Sequence, residues 1–226
     1  HFVIMLDGKI EIGRQKNTGY DVKGSQARLS RKLSDNANLI FGIQKNFLDD
    51  VPRTHKTIDG LTWEGLSRGK EIWRRLDQER NLYYGKIDWE DIEGIANSGK
   101  LIVSLHSHEQ ERNRMKGNSG VATEGDLQTF SLEDFGLTAR FVKHDFFLGS
   151  LAYGAEWHHE KLVSGGYKFD ANSNRTTNLV QGPLAADALY DRFDTYIQYK
   201  HEFDSGWSIE PGIRYSATNA ELKKFY

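Results

Sequence analysis

His106 and His108 are one residue apart, so on an extended chain they share a face, opposite Leu101, Val103 and Leu105. Two imidazoles on one face can ligate a metal or haem iron. Sequence alone places no carboxylate or third histidine to complete a site with them, so two solvated histidines on a polar face is the plainer reading, and no metal is assigned. The neighbours His158 and His159 project to opposite sides of an extended chain and cannot share one ion without a bend. They are expected as solvated loop residues.

In the stretch from Leu48 to Arg80, Pro52 fixes its own backbone angle and biases Val51 toward extended geometry, which stiffens the exit from a strand. Arg53 and His55 follow, placed to meet an anionic ligand, and Trp63 and Trp73 are suited to stack on a flat one. The alternative is that Arg74, Arg75, Asp77, Glu79 and Arg80 pair among themselves and merely order a loop. The candidate ligand-binding residues are therefore Arg53, His55, Trp63, Trp73, His106 and His108.

Catalytic chemistry finds less support. The pairs Asp187 with Asp191 and Glu109 with Glu111 invite a glycosidase reading, but sequence spacing does not set the carboxylate separation that chemistry requires. No Gly-x-Ser-x-Gly elbow, His-Glu-x-x-His motif or phosphate-binding glycine loop is present. Gly117, Gly120 and Gly125 read as turn residues in a polar loop. No catalytic residue is assigned, and an enzyme is not expected.

The elements that position these residues come as four strand–turn–strand pairs separated by long charged stretches. In the last pair Phe193, Thr195, Ile197 and Tyr199 alternate with Arg192, Asp194, Gln198 and Lys200; the turn Asp204-Ser205-Gly206 leads into Trp207, Ile209, Pro211, Ile213 and Tyr215. Before it, Phe135, Leu137, Ala139 and Phe141 lead through a turn at Lys143-His144-Asp145 to Phe147, Leu151, Tyr153, Ala155 and Trp157. An earlier pair runs from Tyr83, Gly85, Ile87 and Trp89 through Gly94 to Gly99 into Leu101, Val103 and Leu105. The first sets Ala27, Leu29 and Leu33 before Ser34-Asp35-Asn36 and then Leu39, Phe41, Ile43 and Phe47. One further strand is expected in Phe2 to Leu6 or in Lys9 to Ile12.

Short turns on one side and long stretches near 48–80, 110–131 and 158–188 on the other are the asymmetry of an outer-membrane barrel. A soluble sandwich also alternates, so period two alone does not choose the solvent. Aromatic placement favours the membrane: Trp89 and Trp207 fall beside short turns, while Tyr83, Trp157 and Tyr215 fall toward the long segments, as two interfacial belts require. The expected fold is all-β, a transmembrane antiparallel up-and-down barrel of about eight or nine strands, with residues 1–226 as one domain.

Composition bounds the rest. Hydrophobic residues make up 38% of the chain and the mean hydropathy is -0.65, which excludes a bundle of apolar membrane helices. A barrel is compatible with both figures because its lumen and loops are polar. The net charge of -2 gives no global field for nucleic acid, so no nucleic-acid partner is expected. With 0 cysteines, disulfides and thiolate metal sites are excluded. The chain begins at His1 without an initiator methionine or leader, and is expected to be a processed or truncated product.

At its polar stretches the sequence resembles the TonB-dependent outer-membrane receptors. The likeness is carried by Asp49-Asp50-Val51-Pro52-Arg53-Thr54-His55-Lys56-Thr57 after a strand, Trp63 and Gly65, and Leu76-Asp77-Gln78-Glu79-Arg80 leading into the next strand. It continues with Gln181-Gly182-Pro183, Ala186-Asp187, Tyr190 and the strand ending Pro211-Gly212-Ile213-Arg214-Tyr215. It spans about Gly19 to Tyr215, and nothing in the chain looks like a plug domain or a TonB-contacting segment.

The resemblance implies a partial segment of a 22-stranded receptor barrel in the bacterial outer membrane. The implied function is uptake of a scarce small-molecule nutrient of the ferric-siderophore, haem, cobalamin or glycan class. The implied partners are outer-membrane lipid, the remainder of the barrel with its plug, and a TonB-type energising protein acting through the missing N-terminal part; no resident cofactor is implied. A small outer-membrane enzyme barrel and a soluble β binding module are the alternatives. An open sheet would leave two edges of unpaired backbone groups, so other residues of the receptor are expected to complete the wall.

Overall fold

The computed structural model describes residues 2–6, 9–13, 18–60, 67–91 and 94–223, and among them there is no helix. Strands β1 (Phe2–Leu6) and β2 (Lys9–Gly13) pair antiparallel as a two-stranded sheet. Both segments named as alternatives for one further strand are therefore strands.

Everything else belongs to one sheet of 10 strands. It runs β3 (Asp21–Ser34), β4 (Ala37–Pro52), β5 (Glu71–Trp89), β6 (Ser98–Asn118), β7 (Val121–Phe146) and β8 (Gly149–Asp170), each antiparallel to the one before. The short β9 (Arg175–Leu179) pairs with the far end of β8, and β10 (Asp187–Glu202) with its longer part. On the other side of β10 lie β11 (Ser208–Ile209) and β12 (Gly212–Leu222). Pro211 separates those two because it has no N–H, yet its carbonyl accepts from the Tyr199 N–H at 2.9 Å, so the ladder continues past it. Among the described residues the sheet is not closed: β3 pairs only with β4, and β12 only with β10. It is thus an up-and-down meander with two open edges.

Four connections differ from expectation. The stretch 110–131 is not a loop: β6 runs to Asn118 and β7 starts at Val121, joined by Ser119-Gly120 with positive φ at both. Likewise β4 reaches Pro52 and β5 begins at Glu71, leaving 53–70 as the connection, and 158–188 holds the end of β8, β9 and a bend. The third hairpin turns at Phe147-Leu148, not at Lys143-His144-Asp145, which sit on a bulge between Lys143 and Phe146. The cause is common to the first two. A ladder needs only a neighbouring backbone, and the charged side chains pair across it, as Arg112 does with Asp126 at 3.2 Å and Lys116 with Glu124 at 3.6 Å.

Register then decides which side chains share a face. Directly paired residues point the same way, and between the bulges of β4, β5, β6, β7, β8, β10 and β12 the odd-numbered positions form one face; past the bulges, as at Glu71 opposite Lys116, and in β9 the parity reverses. One row across it reads Ala217, Phe193, Trp157, Leu137, Val103, Gly85, Phe41, Leu29; the next reads Asn219, Asp191, His159, Phe135, Leu105, Tyr83, Ile43, Ala27. Even-numbered neighbours such as Lys86, Glu156, Arg192 and Asp194 occupy the other face at the same height.

No second layer covers the odd face among the described residues. Phe41 is 52% exposed and Ile213 71%, while Phe141 and Tyr153 stack on each other along the sheet with centroids 5.2 Å apart. The buried hydrophobic residues are scattered, at Ile40, Ala96, Met115 and Phe169. The shared dry interior of a sandwich is absent from the described sheet.

Candidate functional site

Above the apolar rows both faces are polar, and charge takes over the alternation. Along β6 the even positions are His106, His108, Gln110, Arg112, Arg114 and Lys116, whereas the odd ones include Glu109 and Glu111. On β5, Arg74, Gln78 and Arg80 lie on the even face, with Asp77 and Glu79 on the odd face. Most cations of the two strands thus lie on the even face and most carboxylates on the odd face, the exceptions being Glu71, which a bulge turns to the even face, and Arg75 on the odd one.

The even face is knitted by defined contacts. The Gln78 side-chain amide donates to Gln110 at 2.7 Å. Arg114 donates through Nε to Asp126 at 2.5 Å and through Nη1 to Glu71 at 3.1 Å; Arg112 reaches Asp126 at 3.2 Å and also Gln128. Arg74 stands 3.8 Å from the same Glu71. Burial works against the charge of Arg114, but the hydrogen bonds and proximity of Asp126 and Glu71 outweigh it and hold its pKa above the ordinary value. Arg74 is shifted the other way, by burial first and then by Arg112 and Arg53, with Glu71 only partly offsetting them. Positive charge is in excess here.

Lower on the same face, His108 packs edge-on against Phe130, centroids 5.0 Å apart, and its Nε2 is buried with no hydrogen-bond partner. Burial, then Arg80, then His106 push its pKa below the ordinary value, which favours the neutral ring. His106 stands across the ladder from Asp134, and Asp134 is engaged by His158, whose Nδ1 lies 2.9 Å away and whose Nε2 lies 3.0 Å from Glu156. His159 points to the odd face, 2.8 Å from Asp191 and stacked on Trp157. The two histidines project oppositely as expected, but from strand β8 and not from a loop. Among the described residues no group of three His, Cys, Asp or Glu side chains could hold a metal ion.

The remaining candidates separate. Thr57 is fully buried, its hydroxyl donating to the Thr54 carbonyl at 2.6 Å, and Ile58 N–H donates to the Glu71 carbonyl at 2.8 Å. That folds 53–60 against the start of β5, so Arg53 sits at the end of the sheet that carries Arg74 and acts on its charge, while His55 stays exposed. Trp63 lies outside the described residues. Trp73 sits in β5 on the odd face, with the Arg75 guanidinium 5.9 Å from its ring, so it is turned away from His106 and His108. The charges of 74–80 do not pair among themselves: Arg75 binds Asp50 at 2.8 Å, and Asp77 accepts the Asp50 N–H at 2.6 Å.

Arg74 is among the charges expected to order a loop, and Arg112 and Arg114 fall within the long stretch 110–131 expected outside the strands. Their signal was the alternation of charge sign along 106–116, which a search for apolar periodicity does not register. On the odd face, Asp49, Asp77, Glu79, Glu109 and Glu111 border an open depression of about 560 Å³ with Phe47 and Val163. Glu109 and Glu111 stand there opposite Glu79 and Asp77 in register.

No family model matches the chain, and no curated protein matches its sequence.

Proposed function

We propose that this chain is a segment of the wall of a TonB-dependent outer-membrane receptor, with its odd face toward lipid and its even face toward an aqueous passage. The observation that carries the reading is two-sidedness without a second layer. Phe193 and Ile197 are 42% and 45% exposed, yet the intervening Asp194 is bonded to Arg214 at 3.0 Å and to Ser216 at 2.5 Å on the other face. A soluble sheet would bury the first set, and a lipid-immersed one would not carry the second on its outside.

The dimensions agree. From Leu151 to His159 the apolar rows span eight residues of β8, about 26 Å along the strand. At a tilt of roughly 40° this is about 20 Å of height, near the apolar band of about 25 Å in such barrels. Open edges at β3 and β12 would leave backbone donors and acceptors unpaired in hydrocarbon, so further strands of the receptor complete the wall. The likeness of 49–57, 76–80, 181–190 and 211–215 to such receptors supports the same assignment.

On this reading the protein takes up a scarce nutrient of the siderophore-iron, haem, cobalamin or glycan class across the bacterial outer membrane. The wall supplies binding surface, and a TonB-type partner supplies energy through a plug. The test is fractionation and growth. The protein should enter the outer-membrane fraction, need detergent to stay monodisperse, and its deletion should slow growth on one limiting nutrient only while the energising partner is intact. Monodispersity without detergent would refute the reading.

A further inference from the structure

We infer that the even face of β5, β6 and β7 above the apolar rows, with Arg53, binds a small oxyanion carrying carboxylate or phosphate groups. The inference takes from the proposed function only that this face borders water. Arg74, Arg112 and Arg114 converge there around Glu71 and Asp126, and the 53–60 segment, bonded to the start of β5 through Ile58 N–H and the Glu71 carbonyl, carries Arg53 to the same end of the sheet.

Donor supply exceeds acceptor supply. Each guanidinium carries five N–H groups, and the two carboxylates with Gln128 take up only part of them. Arg112 Nε is buried without a partner, and so is one acceptor of the cluster, Glu71 Oε2, which leaves the guanidinium donors still in the majority; Arg53 forms no ion pair with a described residue. The side chains of Arg74, Arg112 and Arg114 are 18%, 14% and 21% exposed, so their charges act through a medium less screening than bulk water. Guanidinium forks match carboxylate and phosphate oxygens two at a time.

The charge also has direction. Arg80, exposed and without an ion pair to a described residue, lies six positions along β5 from Arg74, about 20 Å at strand rise. Gln78 and Gln110 lie between them. The carboxylates of Asp77, Glu79, Glu109 and Glu111 are confined to the opposite face. A neutral ligand gains nothing from this segregation, while an anion is drawn to one face and repelled from the other.

The test is calorimetric titration of the purified protein in detergent with citrate, with inorganic pyrophosphate and with the neutral sugar raffinose. Binding of citrate or pyrophosphate that weakens with added sodium chloride, and falls at least tenfold in the Arg53→Gln/Arg74→Gln variant at unchanged melting temperature, is expected; the stronger of the two anions identifies carboxylate or phosphate as the preferred group. Arg53→Gln alone, which breaks no ion pair to a described residue, should give part of the loss and guards against misfolding of the double variant. Folded protein that binds neither anion, or binds both as well after substitution, overturns the inference. Raffinose binding alone would overturn it and leave the barrel reading standing. Anion binding by protein that is monodisperse without detergent would keep the inference and remove the barrel.

Discussion

The ring of Tyr84 fills the space above Gly42 in which a Cβ would stand, and the two residues face each other directly across β4 and β5. Tyr196 covers Gly154 in the same way on the same face. Glycine is required at position 42 for this close approach, not for backbone freedom. Gly42→Ala should therefore cost about 1–3 kcal/mol through overpacking. Combined with Tyr84→Ala it should cost less than the sum of the two single changes. Urea unfolding of the refolded protein measures both.

Asp126 is the shared acceptor of Arg112 and Arg114 and is almost completely buried. Asp126→Asn leaves two guanidiniums facing a neutral amide, and should cost about 2 kcal/mol; the partial exposure of Arg114 keeps this below the loss expected of a fully buried pair. Arg53→Gln should shift the unfolding midpoint by no more than a surface change does. A larger effect at Arg53 than at Asp126 would reverse the proposed division between structural and excess charge.

His108 offers a pH test. Its ordinary value is 6.5, and in the fold burial, Arg80 and His106 lower it. Between the folded value and 6.5 the unfolded chain binds a proton that the folded chain refuses. The stability tied to this group is therefore full above pH 6.5 and is lost as pH falls through the folded value. Arg80→Gln removes one repulsive charge, so the His108 proton resonance should titrate at higher pH in the variant than in the parent. A titration moved downward would contradict the arrangement.

The open edges can be probed because the chain has 0 cysteines. Leu29 on β3 and Ala217 on β12 lie in the same cross-sheet row at opposite edges. Leu29→Cys with Ala217→Cys should give no intrachain disulfide under mild oxidation. Leu29→Cys with Phe41→Cys, directly opposed on β3 and β4, should give one. A rapid bond between positions 29 and 217 would mean that this chain closes a small barrel unaided.

The hairpins were legible where one face is apolar: Phe193 to Tyr199 and Tyr83 to Trp89 alternate so cleanly that pairing and facing both follow from the letters. Legibility ended where both faces meet polar surroundings. Residues 107–118 carry no apolar rhythm, yet their backbone still finds partners in β5 and β7, so strand continues where loop was expected. At the third hairpin the charged Lys143-His144-Asp145 looked like a turn, but the chain turns at Phe147-Leu148, whose side chains are 87% and 81% exposed. Burial preference misleads there because no core lies nearby to claim them. The histidine pair was placed on the correct face by parity alone; the arginine cluster needs the register among β5, β6 and β7, which no local pattern encodes.

The facing of the sheet is tested most directly at two adjacent residues of β10, by comparing unfolding free energies in lipid bilayers of Ile197→Arg and Gln198→Arg. Ile197 is 45% exposed in the apolar rows, and Gln198 points the other way. The account predicts a loss of about 2–4 kcal/mol at position 197 and little change at position 198. Equal tolerance at both positions, or the larger loss at 198, would contradict it.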